Sequence, residues 1–227
     1  IYMSLCVKCG KPKLYAGNDS ESDYDSDYDL NEDEEKALQQ KLIYNINKNN
    51  KKNEKDIKDN PLKYKELTID ILSGVEQKFN TEVIKKYVDI GSELNERLRK
   101  GKTTNDDFLY IKKLNNALIP INDLFENIDY IKTFRCSSVS YDHDKTQGFL
   151  STSNRIIPGF GSNCFLIIIP QDVKIGIIDI SKKVSIDNTF EIILPNDTLL
   201  QNIKENKYIV KSEYYNKNKY KFNNIIK

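Results

Sequence analysis

The sequence predicts an α+β fold, with N-terminal helices packed on a two-sheet, mainly antiparallel β-sandwich. Three observations carry that expectation. Between residues 61 and 130 apolar residues recur at intervals of three and four. Beyond residue 130 the segments become short, β-branched and aromatic. Pro, Gly, Asn and Asp punctuate those segments. Helices followed by strands, instead of alternating with them, point to α+β and away from α/β.

The first 60 residues predict a disordered tail. From Asn18 to Glu35 the chain is dense in Asp, Glu and Ser. Like charges repel there, and too little apolar surface exists to offset chain entropy. A short helix is expected from Glu34 to Ile46, then a Lys- and Asn-rich linker to Asn60-Pro61. The acidic run has two readings, a solvated spacer, which is favoured, and a phosphorylated segment that binds a partner. Ser20, Ser22 and Ser26 each have an acid three residues on. Cys6-Val7-Lys8-Cys9-Gly10 is half of a zinc-ribbon signature, and a structural zinc takes about four ligands. Cys136 and Cys164 lie far away in expected strands, as does His143 in an expected turn, so no metal is expected. The cysteine spacing predicts no disulfide framework and hence a reducing compartment. The cytoplasm, of a host or of the parent cell, is the expected location, with export as an effector left open.

Residues 61–227 predict one folded domain. Ile84, Tyr87, Val88, Gly91, Leu94 and Leu98 give one apolar helix face. Arg97, Arg99 and Lys100 sit near its end, where cations suit the dipole, and Gly101 is a plausible stop. Thr104 is expected to cap the next helix, with Phe108, Ile111, Leu114 and Leu118 on its apolar face and a further short helix over Pro120–Asn127. Strands are expected at Ile131–Cys136, Gly148–Thr152, Cys164–Pro170, Ile175–Ile180, Phe190–Leu194, Tyr208–Tyr215 and Tyr220–Ile226. The net charge of +1 gives no general case for nucleic acid or a membrane surface, and no run approaches the roughly 20 apolar residues of a membrane span.

No phosphate-binding glycine loop is present. What remains is an ordered set on strands: Arg135 near the end of the first, Phe149-Leu150-Ser151-Thr152-Ser153 on the second, and Glu191 opening Glu191-Ile192-Ile193-Leu194-Pro195. With Tyr87 and Leu94-Asn95-Glu96-Arg97-Leu98-Arg99 on the long helix, this order resembles the R-S-E class of mono-ADP-ribosyltransferases, over roughly residues 65–227. That class includes bacterial exotoxin domains and related viral enzymes.

The resemblance implies NAD as substrate, with no metal, and a protein as acceptor. It implies that Arg135 binds the dinucleotide, since a guanidinium offers bidentate, permanent charge to a pyrophosphate. Ser151 would meet the nicotinamide ribose or orient Glu191. Thr152 would brace the sheet, with Ser151 and Ser153 on the opposite face. Arg155 and Phe160, in the loop Asn154–Asn163, would contact phosphate and a ring. Glu191 would face the oxocarbenium-like charge that develops as the nicotinamide bond breaks. The segment Ser181–Phe190 would recognise the acceptor through Thr189, with Phe190 either facing the acceptor or joining the core.

One position departs from the class. Arginine-modifying members carry a second acid two residues before the catalytic Glu, and Thr189 stands there. A threonine cannot activate a guanidinium, so arginine is not the expected acceptor. Three functions follow in order: transfer of ADP-ribose to a protein, hydrolysis of NAD, and an inactive binding module of the same fold. The compact size and biased composition favour a viral or pathogen effector.

Overall fold

The computed structural model describes residues 2–5, 12–15, 32–79, 81–137, 146, 148–157, 161 and 163–225, the backbone alone at 2–5, 12–15 and 32–35. The chain divides into two units, Ile1–Asn49 and Asn50–Lys227. Cys6, Cys9, His143, Phe160 and the acidic run as far as residue 31 lie outside the described residues.

The first unit contains two short strands and the start of a long helix. Strands β1 (Tyr2–Leu5) and β2 (Pro12–Tyr15) pair antiparallel, with Leu5 opposite Pro12. Helix α1 (Glu32–Asp59) starts in this unit and runs 13 residues past the expected end at Ile46, its last turns belonging to the second unit. Its Lys-, Asn- and Glu-rich sequence has no apolar period to read, yet Lys, Glu and Gln are good helix formers. Its end is also fixed by distant residues. The Asp56 carboxylate meets Lys221 Nζ at 2.8 Å and accepts from the Tyr220 hydroxyl. Asn60 Nδ2 donates to Asp56 at 3.0 Å.

The second unit opens with helices. They are α2 (Ile69–Glu76), α3 (Glu82–Arg99), α4 (Asn105–Ala117) and α5 (Ile121–Leu124). The face of α3 that the spacing predicts is the buried one: Ile84, Tyr87, Gly91 and Leu94 all point inward. Thr104 caps α4 and forms a full capping box with Asp107. Asp107 also takes two bonds from Arg97 on α3, at 2.7 and 3.0 Å. That guanidinium, helped by the Thr104 N–H, holds the Asp107 carboxyl well below the usual carboxylate range. Arg97 thus ties two helices together instead of serving only the dipole.

In chain order the strands are β3 (Tyr64–Lys65), β4 (Ile119–Pro120), β5 (Tyr130–Ser137), β6 (Leu150–Ser153), β7 (Asn163–Pro170), β8 (Lys174–Asp179), β9 (Phe190–Leu194), β10 (Leu200–Lys204) and β11 (Lys207–Val210). Their hydrogen-bonded order is β10-β11-β7-β5-β6-β9-β8-β4, with β3 beside β5. All pairs are antiparallel except β7–β11 and β3–β5. Strands β5 and β7 align from Tyr130–Pro170 to Ser137–Asn163, whereas β5 and β6 share the single pair Phe134–Ser153. The hydrogen-bonded path narrows to that single pair between β5 and β6, and the fold is α+β and mainly antiparallel. Ile84 and Leu94 of α3 pack with Leu118, Ile175, Ile177, Ile192 and Leu194 in the main core. Each such side chain contributes about 1.5–3 kcal/mol on burial.

The C-terminal segment corrects the expected strands at Tyr208–Tyr215 and Tyr220–Ile226. The strand stops at Val210, and helices α7 (Glu213–Lys217) and α8 (Lys219–Ile225) follow. Aromatic content suggested strand, but Ser212 accepts from Tyr215 N at 3.1 Å and starts a helix. Phe222 is then buried edge-on against Tyr130 and Tyr215, at 5.9 and 5.5 Å.

A second correction concerns the cysteines. Cys136 on β5 lies directly opposite Cys164 on β7, and the two are joined by a disulfide. Antiparallel pairing brings together two residues 28 apart, a distance in sequence that hides the partnership. The absence of a disulfide framework therefore no longer argues for a reducing compartment. Among the described residues no helix is long and apolar enough to cross a membrane.

Candidate functional site

A cleft of about 360 Å³ opens beside the β5–β6 join, against α3. Arg135 enters it from β5, Ser151 from β6 and Glu191 from β9. The sequence set of one Arg, one Ser and one Glu therefore meets on a single surface. The strands explain why: Phe134 pairs with Ser153, and Ser153 pairs with Glu191, so the three segments run side by side.

A chain of hydrogen bonds leads from α3 to the acid. Asn95 Oδ1 accepts from Phe149 N at 2.8 Å, which fixes the orientation of its amide. Asn95 Nδ2 then donates both to Phe149 O at 3.1 Å and to the Tyr87 hydroxyl at 3.0 Å. Tyr87 Oη lies 3.2 Å from Ser151 Oγ, and the Ser151 hydroxyl hydrogen-bonds Glu191. A hydroxyl has one proton to give. Ser151 gives its proton to the carboxylate, so Tyr87 donates to Ser151 and Asn95 to Tyr87. Two glycines make room for this chain. A Cβ on Gly91 would stand 2.8 Å from the Tyr87 ring, and one on Gly148 would stand 2.5 Å from Asn95 Oδ1. Gly148 also has φ +116°, which side-chain-bearing residues rarely adopt.

Electrostatics single out Glu191. Burial pushes its carboxyl pKa up, and the Ser151 hydroxyl, Lys183 and Arg135 partly oppose that. Burial likewise pushes the Tyr87 phenol up to about 12, so it remains a donor at neutral pH. Arg135 donates to the Ser151 carbonyl, which fastens the cationic strand to the serine strand. A guanidinium has five N–H donors in a fixed fork. Lys183 belongs to the short helix α6 (Ser181–Val184) and reaches across to donate to the Val88 carbonyl on α3.

The remaining expected residues fall in different places. Thr152 is buried and donates to Ile192 O at 3.1 Å, bracing the sheet. Ser153 donates to the Arg155 carbonyl and so shapes the start of the next loop. Arg155 is exposed and bonds Asp187 O at 3.3 Å, outside the residues that line the cleft. Thr189 and Phe190, expected to face an acceptor, are turned inward. Thr189 is 0% exposed and gives its hydroxyl to Ile186 O at 2.9 Å, while Phe190 joins the main core. Asn188, at φ 59°, precedes them, so the alternation that would align Thr189 with Glu191 starts only after a turn.

Four contributors were not assigned to the site from sequence. Tyr87, Asn95 and Arg99 line the cleft from α3, and Lys183 lines it from α6. The first three stand in the helix pattern that carried the resemblance, but amphipathic spacing alone presents them as packing and end-of-helix charge. Nothing local marks Lys183 among its neighbours. Among the described residues no group of three or more His, Cys, Asp or Glu could hold a metal ion.

No protein-family model matches the sequence, and no curated protein does. Similar solved structures include bacterial ADP-ribosyltransferase toxins. Plx2a from Paenibacillus larvae is 16% identical, with 62% of this chain and 92% of that chain covered at a TM-score of 0.45. The Clostridium limosum C3 exoenzyme is 15% identical, covering 66% and 98% at 0.44. C3larvin from Paenibacillus larvae is 16% identical, covering 58% and 86% at 0.42.

Proposed function

We propose that the cleft binds NAD and transfers its ADP-ribose to a protein side chain, releasing nicotinamide. One observation carries this reading: Arg135, Ser151 and Glu191, distant in sequence, converge on one cleft with Glu191 half-buried and hydrogen-bonded by Ser151. The nicotinamide ring of NAD is already cationic, so its bond to ribose breaks without a general acid. The bonding electrons go to the ring nitrogen and neutralise it, and positive charge passes to the ribose. A single fixed carboxylate stabilises that charge. Glycosidases, which must protonate their leaving group, use two carboxyls. Among the described residues that line this cleft, Glu191 is the one acid. Arg135 and Arg99 supply the positive charge a pyrophosphate requires. The acceptor then bonds to the ribose carbon and loses its proton to solvent.

Hydrolysis of NAD is the second reading, and the burial of Thr189 favours it: among the described residues that line the cleft, no second acid stands beside Glu191 to activate a protein acceptor. Incubation with NAD labelled in its adenylate half, with and without cell extract, separates the two. Labelled protein that disappears with Glu191→Gln supports transfer. Free ADP-ribose without labelled protein supports hydrolysis. Absence of nicotinamide release from the unaltered chain overturns both.

A further inference from the structure

We infer that Lys183 is a positioning residue that keeps Glu191 ionised while the dinucleotide is bound; this rests on the NAD-cleaving reading above. The ammonium is held at a defined place. Helix α6 is closed at Ser185, whose N–H returns to Ser181 O, and Lys183 N bonds Ile180 O at 2.9 Å. Ile180 and Val184, on either side of Lys183, both line the cleft and anchor the turn. From there the exposed Lys183 donates to Val88 O on α3, which places its ammonium at the cleft.

The charged and titratable groups that line the cleft with Glu191, or flank it on its neighbouring strand, can be named element by element. Helix α3 contributes the neutral phenol of Tyr87 and the cation Arg99, β5 contributes Arg135, and β6 contributes only the hydroxyl of Ser151. On β8, Ile178 lies opposite Glu191, and the next residue, Asp179, is engaged with Ser181 N at 2.8 Å. Helix α6 contributes Lys183. Among the described residues that line it, the cleft thus holds three cations, Arg99, Arg135 and Lys183, against one acid. The pyrophosphate of NAD brings two negative charges, and Arg135 and Arg99 are the groups suited to meet them. Once they do, their charges are spent on the ligand. Among the described residues that line the cleft, Lys183 is the remaining cation that can oppose the burial which favours a neutral Glu191. A neutral Glu191 cannot stabilise the ribose cation.

The test compares the unaltered chain with Lys183→Met and Lys183→Arg in two measurements. The first is the pH profile of kcat for nicotinamide release, which reports ionisation in the substrate complex. Lys183→Met is expected to move the acid limb up by about one pH unit, a tenfold loss on that limb. Its plateau at higher pH should stay within about threefold of the unaltered chain. Lys183→Arg should restore the limb. The second follows the Glu191 carboxyl carbon by NMR titration in the free protein, with Glu191→Gln to assign it. Here Lys183→Met is expected to raise the Glu191 pKa. An acid limb and a titration both unmoved by Lys183→Met overturn the inference. A chain that releases no nicotinamide overturns the NAD reading instead, and the titration still decides whether Lys183 sets the charge of Glu191.

Discussion

The two walls of the cleft are built differently. The α3 wall is made of buried bonds: Asn95 spends both amide protons and its oxygen, and Gly91 and Gly148 let Tyr87 and Asn95 sit closer than any side chain would permit. The α6 wall is a four-residue helix held to α3 by an exposed lysine, and its connection to β9 contains two residues at positive φ, Ser185 and Asn188. A rigid wall places donors before substrate arrives, which is where electrostatic catalysis gains most. A wall with few buried contacts opens at little cost. The difference teaches that side-chain bonding is concentrated on the α3 side, while the α6 side rests on a short turn and one exposed bond.

The largest expected effect is at the acid itself. Glu191→Gln should lower nicotinamide release by about a thousandfold or more. It should also raise the Tm at pH 7. The sign follows from the raised pKa: with the folded value above the unfolded one, stability is full below about pH 4.3, the ordinary Glu value, and is lost as pH rises through the folded value. The gain from Gln should therefore shrink to nothing in acid. A melting curve at pH 4 and at pH 7 checks this, and an equal shift at both would contradict a buried, ionised Glu191.

Next comes the rigid wall. Asn95→Ala strips partners from the Phe149 N–H and carbonyl and should cost about 2–4 kcal/mol, roughly 5–15 °C in Tm. Gly148→Ala should reach a similar loss from the other side of the same contact. If either is tolerated, the contrast between the walls is wrong.

A smaller effect is expected from Tyr87→Phe, which keeps the ring against Phe149 but removes the proton given to Ser151. Turnover should fall about tenfold with stability lost by no more than about 1 kcal/mol. Steady-state kinetics beside a thermal melt separates those two readouts. The smallest effect should come from the other wall. Ser185→Gly relieves a left-handed residue and frees the chain, two terms of opposite sign, so stability should change by less than about 0.5 kcal/mol and turnover should stay put. A large loss of turnover there would show that the α6 wall is as exacting as α3.

Much of this was legible in the sequence where local chemistry and long-range packing agree. The apolar face of α3, the Thr104 cap and strand Phe190–Leu194 were readable because spacing and side-chain type say the same thing. Arg135, Ser151 and Glu191 were readable as an ordered set, although no property of each alone marks it. What escaped was set by distant partners. Helix α8 forms where Tyr220–Ile226 looks like strand because Phe222 finds Tyr130. The end of α1 has no apolar signal and is held by Asp56 and Lys221. Thr189 was assigned to the cleft by strand alternation, which fails because the strand begins only at Phe190, after the turn at Asn188. Lys183 was invisible because its role depends on a helix carbonyl 95 residues earlier.

The Cys136–Cys164 bond has a topological consequence. It closes a covalent ring of chain that contains β6 and Ser151, while Arg135 lies just before the ring and Glu191 well after it. A single backbone cut anywhere inside that ring leaves one covalent molecule, and a protease that nicks it yields two fragments only after a thiol reductant is added. Gel mobility with and without reductant would therefore distinguish a nicked chain from an intact one, and the site's three strands would remain tethered in either.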